Sequence, residues 1–535
     1  MIGNVKRKGS GFLATVLVLA ILAGCASKPT AVPKPAPADN TQASAPVDWA
    51  QKYPTIKKDI PGPFSFEATS KKNYSGVTLN VIAPPVPVMG EPAELHAKQF
   101  AELTGAKVNV VHVPFGDLFA KVMLPFQTGQ HAYDVLIYPS LWIGDFAPYL
   151  EPLPQRVLDS DQMKDVLDHY REIATWNGKL VQFPVDGDRH YLKYRSDILD
   201  DPKLKAEYKQ KTGKELKVPQ TWEEFGEIAP FFNNRDLNGN GTPVYGAAEV
   251  TARDNLMFSA FLSRAAPYAR HPKVTGGFYF DLKTMKPLIN SPGFVKGLED
   301  MVAAKKYWPP GGDNWGLSDE IFSFGGGQTV FSYTWDDAFI QAQEKDSKIR
   351  NKVGSAILPG AKKVWNRNTN QWDEFPGINY APYVAWGWTA AVAAKSPNKD
   401  AAFDFLGFFS NPANHFSDLL VGRFGVNPFR KSDMDAQFWS VETGWDAKIA
   451  KEYVATLNAG ATDPNRVYDL LIPGAQQYMV ALATGVSQAL SGQQTPQQAL
   501  DGVAKQWEEI TNQIGVAQQR EAYARIVAFE DQNHK

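Results

Sequence analysis

A short acidic and amide-rich motif is the clearest candidate for metal chemistry in this sequence. Residues 236–241 read Asp-Leu-Asn-Gly-Asn-Gly. Asp236, Asn238 and Asn240 take the first, third and fifth positions of an EF-hand-type calcium loop, and a glycine takes the sixth. The acid expected at the twelfth position is replaced by Ala247. The motif predicts either a structural calcium ion that stiffens a loop or a plain turn, since Asp, Asn and Gly favour turns without an ion.

Two adjacent carboxylates, Asp336 and Asp337, could suggest an acid/base pair of the kind that cleaves glycosidic bonds. Adjacent residues on a strand or at a helix start point apart, so they would rarely flank one bond. The eight histidines are scattered without a His-x-x-x-His spacing, and the sequence therefore indicates no zinc site. We expect no catalytic residues.

The chain begins with a pattern typical of export. Lys6-Arg7-Lys8 precedes an apolar run from Phe12 to Leu22, which is too short to span a bilayer as a stable helix. Small residues then lead to Cys25, the only cysteine. This arrangement resembles the lipobox of bacterial lipoproteins. It predicts a signal peptide over residues 1–24 and an acyl group such as palmitate on Cys25; an ordinary signal peptide with an incidental cysteine is the alternative.

Composition narrows the possible partners. The net charge of −2 argues against nucleic acid, which would favour a basic face. Once Cys25 carries lipid no thiol remains for a disulfide or a thiolate metal site. The Pro/Ala/Ser-rich residues 26–48 cannot bury enough apolar surface to fold. We therefore expect residues 25–63 to be a lipidated, flexible tether.

Hydrophobic periodicity then predicts the elements that would position a site. Strands are expected over residues 77–82, 107–113 and 133–138, with helices between them that end at Gly105 and span 116–126. This alternation predicts a parallel α/β sheet, with ligands at the carboxyl ends of its strands. Capping boxes at Thr221 and Thr495 begin further helices, and Ser396-Pro397 is expected to start another.

The order of several segments resembles the extracellular solute-binding proteins of ABC importers, in the group that includes the maltose- and glycerol-3-phosphate-binding proteins. No single segment is specific, but their order along the chain is. The segments that carry the resemblance are residues 104–122, 133–142, 192–201 with 219–225, 327–339, 353–360, 386–412 and 495–507.

The resemblance implies a type II periplasmic-binding-protein fold: two α/β lobes joined by hinge strands, with a ligand cleft between them. The first lobe would comprise residues 74–189 and return over 386–430. The second would comprise residues 190–385, and the C-terminal helices, residues 431–535, would belong mainly to it. A ligand that contacts both lobes would favour the closed form.

The resemblance also selects ligand-binding candidates. In sugar-binding members, aromatic rings stack on sugar faces while charged and amide side chains bind the hydroxyls. The aromatic candidates are Trp142, Trp335, Trp386 and Trp388, and the polar ones are Asp186, Asp188, Arg189, Asp336, Arg423 and Asn427. The alternatives are core packing for the tryptophans and salt bridges for the charged residues.

The resemblance implies a binding protein at the cell envelope, on its periplasmic or extracytoplasmic side. It would need no cofactor besides the possible calcium, act as a monomer, bind no nucleic acid, and deliver a carbohydrate or polyol to ABC permease subunits. An anionic solute, such as a sugar acid or glycerol phosphate, is the alternative that Arg189, Arg423 and Lys193 keep open. A secreted carbohydrate-active enzyme, and a binding module that serves a receptor, are the alternatives from other classes.

Overall fold

The computed structural model describes residues 47–253, 256–384 and 387–532. The signal peptide, Cys25 and Trp386 lie outside the described residues. The strands are β1 Thr78–Ala83, β2 Lys107–His112, β3 Val135–Pro139, β4 Thr175–Trp176, β5 Lys179–Leu180, β6 Phe183–Pro184, β7 Leu192–Arg195, β8 Tyr245–Ala248, β9 Thr329–Ser332, β10 Val353–Ala356, β11 Ala361–Asn366, β12 Gln371–Asn379, β13 Tyr383–Val384, β14 Trp388–Val392 and β15 Val467–Tyr468.

The helices alternate with these strands. They are α1 Trp49–Lys52, α2 Phe66–Thr69, α3 Gly90–Thr104, α4 Phe115–Thr128, α5 Ile143–Phe146, α6 Gln155–Leu158, α7 Asp161–Lys164, α8 Asp168–Ile173, α9 Ser196–Leu199, α10 Pro202–Thr212, α11 Trp222–Phe232, α12 Met257–Ala269, α13 Pro292–Ala303, α14 Leu317–Gly325, α15 Asp337–Ala342, α16 Lys399–Phe409, α17 Pro412–Leu419, α18 Ala447–Thr462, α19 Ala475–Leu490, α20 Pro496–Ile514 and α21 Val516–Gln532.

The first sheet has the order β2-β1-β3-β14-β6. Strands β1, β2 and β3 are parallel, and the predicted strand–helix–strand alternation over this part is confirmed. The sheet is mixed rather than wholly parallel, because β14 runs antiparallel to both β3 and β6. The chain leaves this sheet after β6 at the carboxyl edge and re-enters at the same edge, where Trp388 pairs with Pro139. The returning strand must therefore run the opposite way.

The second sheet has the order β10-β7-β9-β8. Strand β7 is antiparallel to both of its neighbours, and β8 is parallel to β9. Residues 185–191 link β6 of the first sheet to β7 of the second, so this short segment crosses between the two sheets. Every residue in it is buried.

The segment before β1 is packed against the first sheet's helices. Trp49, Tyr53 and Phe66 are buried. The ring of Phe66 lies 5.1 Å from that of Tyr53 and 4.9 Å from that of Phe408 on α16. Aromatic pairs at such distances contribute beyond the area that they bury. The packed body therefore begins earlier in the chain than the predicted tether boundary at residue 63.

The helix starts follow the predicted caps with two differences. Thr495 and Gln498 form the expected reciprocal capping box at α20. Thr221 caps α11, but Glu224 accepts from the backbone N–H of Gln220 instead of closing a box. Helix α16 begins at Lys399, because the hydroxyl of Ser396 donates to Asp134 rather than capping a helix.

We searched the described residues for segments that could cross a bilayer. None of their helices combines the length and the apolar character that a membrane span requires.

Candidate functional site

The crossing segment gathers buried polar side chains at the carboxyl edge of the first sheet. Asp186, Asp188, Arg189 and His190 are each no more than 3% exposed. Polar groups are rarely buried to this degree unless they are hydrogen-bonded or functional.

Asp186 joins three separate segments through backbone N–H groups. Its Oδ1 accepts from Gly187 at 2.7 Å and from Asn427 at 2.6 Å, and its Oδ2 accepts from Trp388 at 3.2 Å. Burial raises its pKa to about 7, although these three donors oppose the rise. Backbone N–H groups occupy both of its oxygens, so Asp186 holds the crossing segment against the chain at residues 388 and 427.

Gly187 allows a close approach that a larger residue would block. A Cβ atom at this position would lie 2.3 Å from the carbonyl oxygen of Pro428 and 2.4 Å from Cβ of Phe429. The crossing segment and the chain around residue 428 therefore touch backbone to backbone.

Asp188 and Arg189 extend this contact. Asn427 donates from Nδ2 to Asp188 Oδ1 at 2.5 Å. Arg189 donates to the carbonyl oxygens of Leu457 and Pro428. Two buried atoms remain without a hydrogen-bond partner, Oδ1 of Asn427 and Nε of Arg189.

A second pair of carboxylates comes from the second sheet. Asp336 and Asp337 follow β9, and Asp337 is the first residue of α15. Tyr453 on α18 donates to Asp336 Oδ1 at 2.5 Å, whereas Oδ2 of the same carboxylate has no partner. Burial, with the nearby charges of Asp186 and Asp336, raises the pKa of Asp337 to about 8.

Sequence analysis named Lys193 only as a residue that keeps an anionic solute open, and it did not name Tyr191, Glu320 or Thr334. The ammonium of Lys193 is fully buried on β7, donates to the carbonyl oxygen of Thr334 at 2.6 Å and lies 4.4 Å from the ring centre of Tyr191. The Thr334 hydroxyl donates to Glu320 at 2.7 Å. Burial lowers the pKa of Lys193 to about 8. The hydroxyl of Tyr191 is a further buried atom without a partner.

His190 links the crossing segment to aromatic residues. Its Nδ1 hydrogen-bonds the hydroxyl of Ser263 at 2.7 Å, and its ring meets Trp335 edge-on at 4.4 Å. Burial, with Lys193 nearby, holds its pKa well below the usual range, so the ring is neutral at pH 7. Its Nε2 also lacks a partner.

Two further tryptophan candidates, Trp142 and Trp388, lie in an aromatic group at the same edge. Trp142 is fully buried, stacks on Phe115 at 5.9 Å, and donates from Nε1 to Gln476 on α19 at 2.9 Å. Trp388 meets the ring of Phe115 edge-on at 6.3 Å. In this conformation Trp142 is a packed side chain that joins the first sheet to a C-terminal helix.

Arg423 is not brought into the buried cluster. Its side chain is 51% exposed and pairs with Glu91 at 2.8 Å. An exposed pair of this kind contributes little to stability. The structure thus gathers Asp186, Asp188, Arg189, Trp335, Asp336, Trp388 and Asn427 around the crossing, with Trp142 one aromatic ring away.

The predicted calcium loop forms a turn whose side-chain oxygens are already engaged. Asp236 accepts from the backbone N–H groups of Asn240 and Gly241. The oxygen of Asn238 accepts from the guanidinium of Arg195 at 3.0 Å, which places a positive charge where a cation would bind. These contacts fit an Asx-type turn better than a calcium site. Within the described ranges, no group of three or more His, Cys, Asp or Glu side chains is placed to hold a metal ion.

The arrangement of these side chains is suited to binding a ligand. Donors and acceptors from the crossing segment, the segment after β9, α18 and the region around residue 427 meet in a buried cluster. Several of them lack a partner. A buried polar group without a partner costs free energy, so a ligand that supplied the missing hydrogen bonds would be held and a ligand without them rejected.

Two sheets linked by a short crossing, with a polar cluster at the crossing, define a binding protein of the two-lobed class. Residues 96–442 match the family model described as bacterial extracellular solute-binding protein. The chain belongs to this family. The interpretation of the chain as a binding protein rather than an enzyme is thereby confirmed.

Named relatives share low sequence identity with this chain. A probable amino-acid ABC transporter periplasmic-binding protein of Sinorhizobium fredii is 23% identical over 68% of this chain and 75% of its own length. The erythritol/L-threitol-binding protein of Mycolicibacterium smegmatis is 24% identical over 69% of this chain and 73% of its own length.

Solved structures share the fold. The maltose-bound MalE3 protein of T. maritima has a TM-score of 0.63 and 22% identity, over 81% of this chain and all of that chain. An ABC transporter solute-binding protein of Agrobacterium radiobacter in complex with ribitol has a TM-score of 0.63 and 22% identity, over 82% of this chain and all of that chain. The predicted two-lobed α/β fold is confirmed.

Proposed function

We propose that this protein is the substrate-binding component of an ABC importer, which captures a carbohydrate or polyol between two lobes and delivers it to a membrane permease. The first lobe is built on the first sheet, over residues 74–189 and 386–430. The second is built on the second sheet, over residues 190–385, together with most of residues 431–535. The solute binds at the crossing segment and favours the closed form.

The observation that carries this proposal is the set of buried polar atoms without partners at the crossing. Asn427 Oδ1 can only accept, so the solute must present at least one donor. The Tyr191 hydroxyl and Nε2 of His190 can donate or accept. Hydroxyl groups do both, and a hydroxyl-rich solute therefore suits this mixed set better than a solute with acceptors alone.

The contacts of the buried cations separate the proposal from the anionic alternative. Four aspartates surround the crossing, whereas the buried cations there are Arg189 and Lys193. Arg189 directs both hydrogen bonds to backbone carbonyl oxygens, and Lys193 directs one to Thr334. A sugar acid or glycerol phosphate would have to compete with these carbonyl oxygens for both cations. A relative named for erythritol/L-threitol and a neighbour with bound ribitol support the polyol, whereas a relative named for amino acids makes amino acids a necessary part of the test.

We further propose that lipid on Cys25 anchors the protein at the extracytoplasmic face of a membrane, after removal of residues 1–24. The pattern from Lys6 to Cys25 supports this. Metabolic labelling with a tritiated palmitate should mark the wild-type protein and leave the Cys25→Ser variant unlabelled. Labelling of both, or of neither, would contradict the proposal.

A thermal-shift panel tests the solute class. The chain is exported as the Cys25→Ser variant and mixed with ribitol, erythritol, maltose, gluconate, glycerol 3-phosphate and single amino acids. A solute at a hundred times its Kd adds about 2.7 kcal/mol to the native state. We expect a shift with a neutral polyol or sugar. A shift with only the acids or only the amino acids would refute the assignment.

A matched pair of variants tests the site. Asp188→Asn changes a buried carboxylate of the cluster, and Asp117→Asn changes an exposed one near the start of α4. The shift should fall in the first variant and persist in the second. An equal shift in both would move the binding site away from the crossing.

A further inference from the structure

Carboxylates from the segments that follow the two sheets lie within electrostatic range of one another at the crossing. Asp188 follows the first sheet, and Asp337 follows β9 of the second. Both are at most 3% exposed. Elsewhere the buried Glu249 has an arginine partner, Arg264. Asp188 and Asp337, in contrast, have no cation within ion-pair distance among the described residues. The side-chain partners of Asp188 are the neutral amide of Asn427 and the carboxyl of Asp186.

The groups that surround this pair do not neutralise it. Asp186 and Asp336 add acidic charge beside Asp337. Glu320 on α14 adds another, behind Thr334. The nearby cations are Arg189 from the crossing segment and Lys193 from β7. The other titratable neighbours among the described residues are uncharged: the ring of His190 and the hydroxyls of Tyr170, Tyr191 and Tyr453. Acidic groups therefore outnumber basic ones.

Closing a two-lobed protein over such a pair has an electrostatic cost. In the open form each carboxylate would be hydrated and separated from the other. In the closed form each loses its water and meets like charge across the crossing, and both effects disfavour the ionised state. We propose that closing takes up protons at Asp188 and Asp337, so that acid favours the closed, solute-holding form.

The direction of the pKa changes supports this sign. Burial first, and Asp186 second, raise the pKa of Asp188 well above its usual range and that of Asp337 to about 8. The closed form thus binds more protons than an open form whose carboxyls titrate near an ordinary value of about 3.9. Because the closed form binds more protons, its population relative to the open form rises as the pH falls from 8 to 5. This inference rests on the opening and closing in the proposed function, but not on the identity of the solute.

A distance measurement without solute tests the inference. The chain's only cysteine is Cys25. The Cys25→Ser variant can therefore carry spin labels at two new cysteines, Lys121→Cys on α4 and Gln210→Cys on α10, both exposed positions on opposite lobes. Double electron–electron resonance then reports the closed and open populations. A pKa of about 8 for Asp337 in the closed form predicts a more than tenfold rise in the closed-to-open ratio between pH 8 and pH 5.

Substitutions identify the groups responsible. Asp337→Asn and Asp188→Asn should each flatten the pH response and raise the closed population at pH 8, because a neutral amide replaces the carboxylate. The control Asp117→Asn should keep the wild-type response. An unchanged ratio in the wild type, a rise towards pH 8, or full persistence of the response in both cluster variants would each overturn the inference. Because no solute is present, failure here is distinct from failure of the solute panel.

Discussion

Replacing Gly187 by alanine should break the backbone contact at the crossing. The new Cβ would lie 2.3 Å from the Pro428 carbonyl oxygen and 2.4 Å from Cβ of Phe429. Such pairs ordinarily stay beyond 3.0 Å, so one segment must move by about 0.7 Å. The obstacles are a backbone oxygen and the first side-chain carbon, and neither can rotate away. Overpacking of this kind costs about 1–3 kcal/mol.

The assay is urea unfolding, followed by tryptophan fluorescence, of the wild type, Gly187→Ala and a control, Gly226→Ala. Gly226 lies inside α11, and a Cβ there would meet nothing within 4 Å. Alanine in a helix interior is favoured over glycine by roughly 0.5–1 kcal/mol. We therefore expect the two substitutions to shift the free energy of unfolding in opposite directions. A Gly187→Ala protein as stable as the wild type would refute the close approach.

The same variant should also weaken solute capture. Displacing residue 187 moves Asp188, which accepts from Asn427. The affinity for whichever panel solute binds the wild type should fall, while Gly226→Ala keeps it. Unchanged affinity in both variants would show that the crossing segment does not position the solute.

Three further outcomes follow from other contacts. Glu249→Gln leaves the guanidinium of Arg264 buried without its carboxylate partner, and urea unfolding should show a loss of about 3–5 kcal/mol; a loss below 1 kcal/mol would contradict a buried ion pair. Arg423→Ala removes only an exposed pair with Glu91, so the free energy of unfolding should change by less than about 1 kcal/mol and the solute-induced thermal shift should persist; loss of that shift would return Arg423 to the site. Because the oxygens of Asp236 accept backbone hydrogen bonds, millimolar calcium and EDTA should give the same melting temperature, and a rise with calcium would restore the metal site.

Local pattern predicted the start of the fold well. The strands and helices from β1 to β3 carry strong periodicity, and Gly105 ends α3 in the left-handed conformation with φ of 76°. The polar run from Asp186 to His190 was recognised because charged residues stood where a crossing was expected. Each of these signals is local, because the residues that form it lie close together along the chain.

The rest of the site depends on contacts between distant segments. No local signal predicts the burial of Lys193 or the contact of Tyr453, since lysine is usually exposed and tyrosine commonly packs in cores. Only the tertiary fold buries that ammonium and brings the Tyr453 hydroxyl to Asp336. Arg423 shows the converse, because its loop approaches the region while its side chain turns outward to Glu91. The direction of β14 was also beyond local pattern, because it follows from the chain's path through the second sheet.

That late strand sets an order of events in folding. Strand β14 lies between β3 and β6 in the first sheet, yet it is made some 250 residues after β3, when the whole second sheet has already been synthesised. Pairing over such a separation is slow, because the entropy of closing the loop is lost before the contact forms. The amino-terminal half of a nascent chain therefore cannot complete its own sheet. We therefore expect the first sheet to stay incompletely folded until β14 has been synthesised. A protein that crosses a membrane before it folds must remain unfolded in this way.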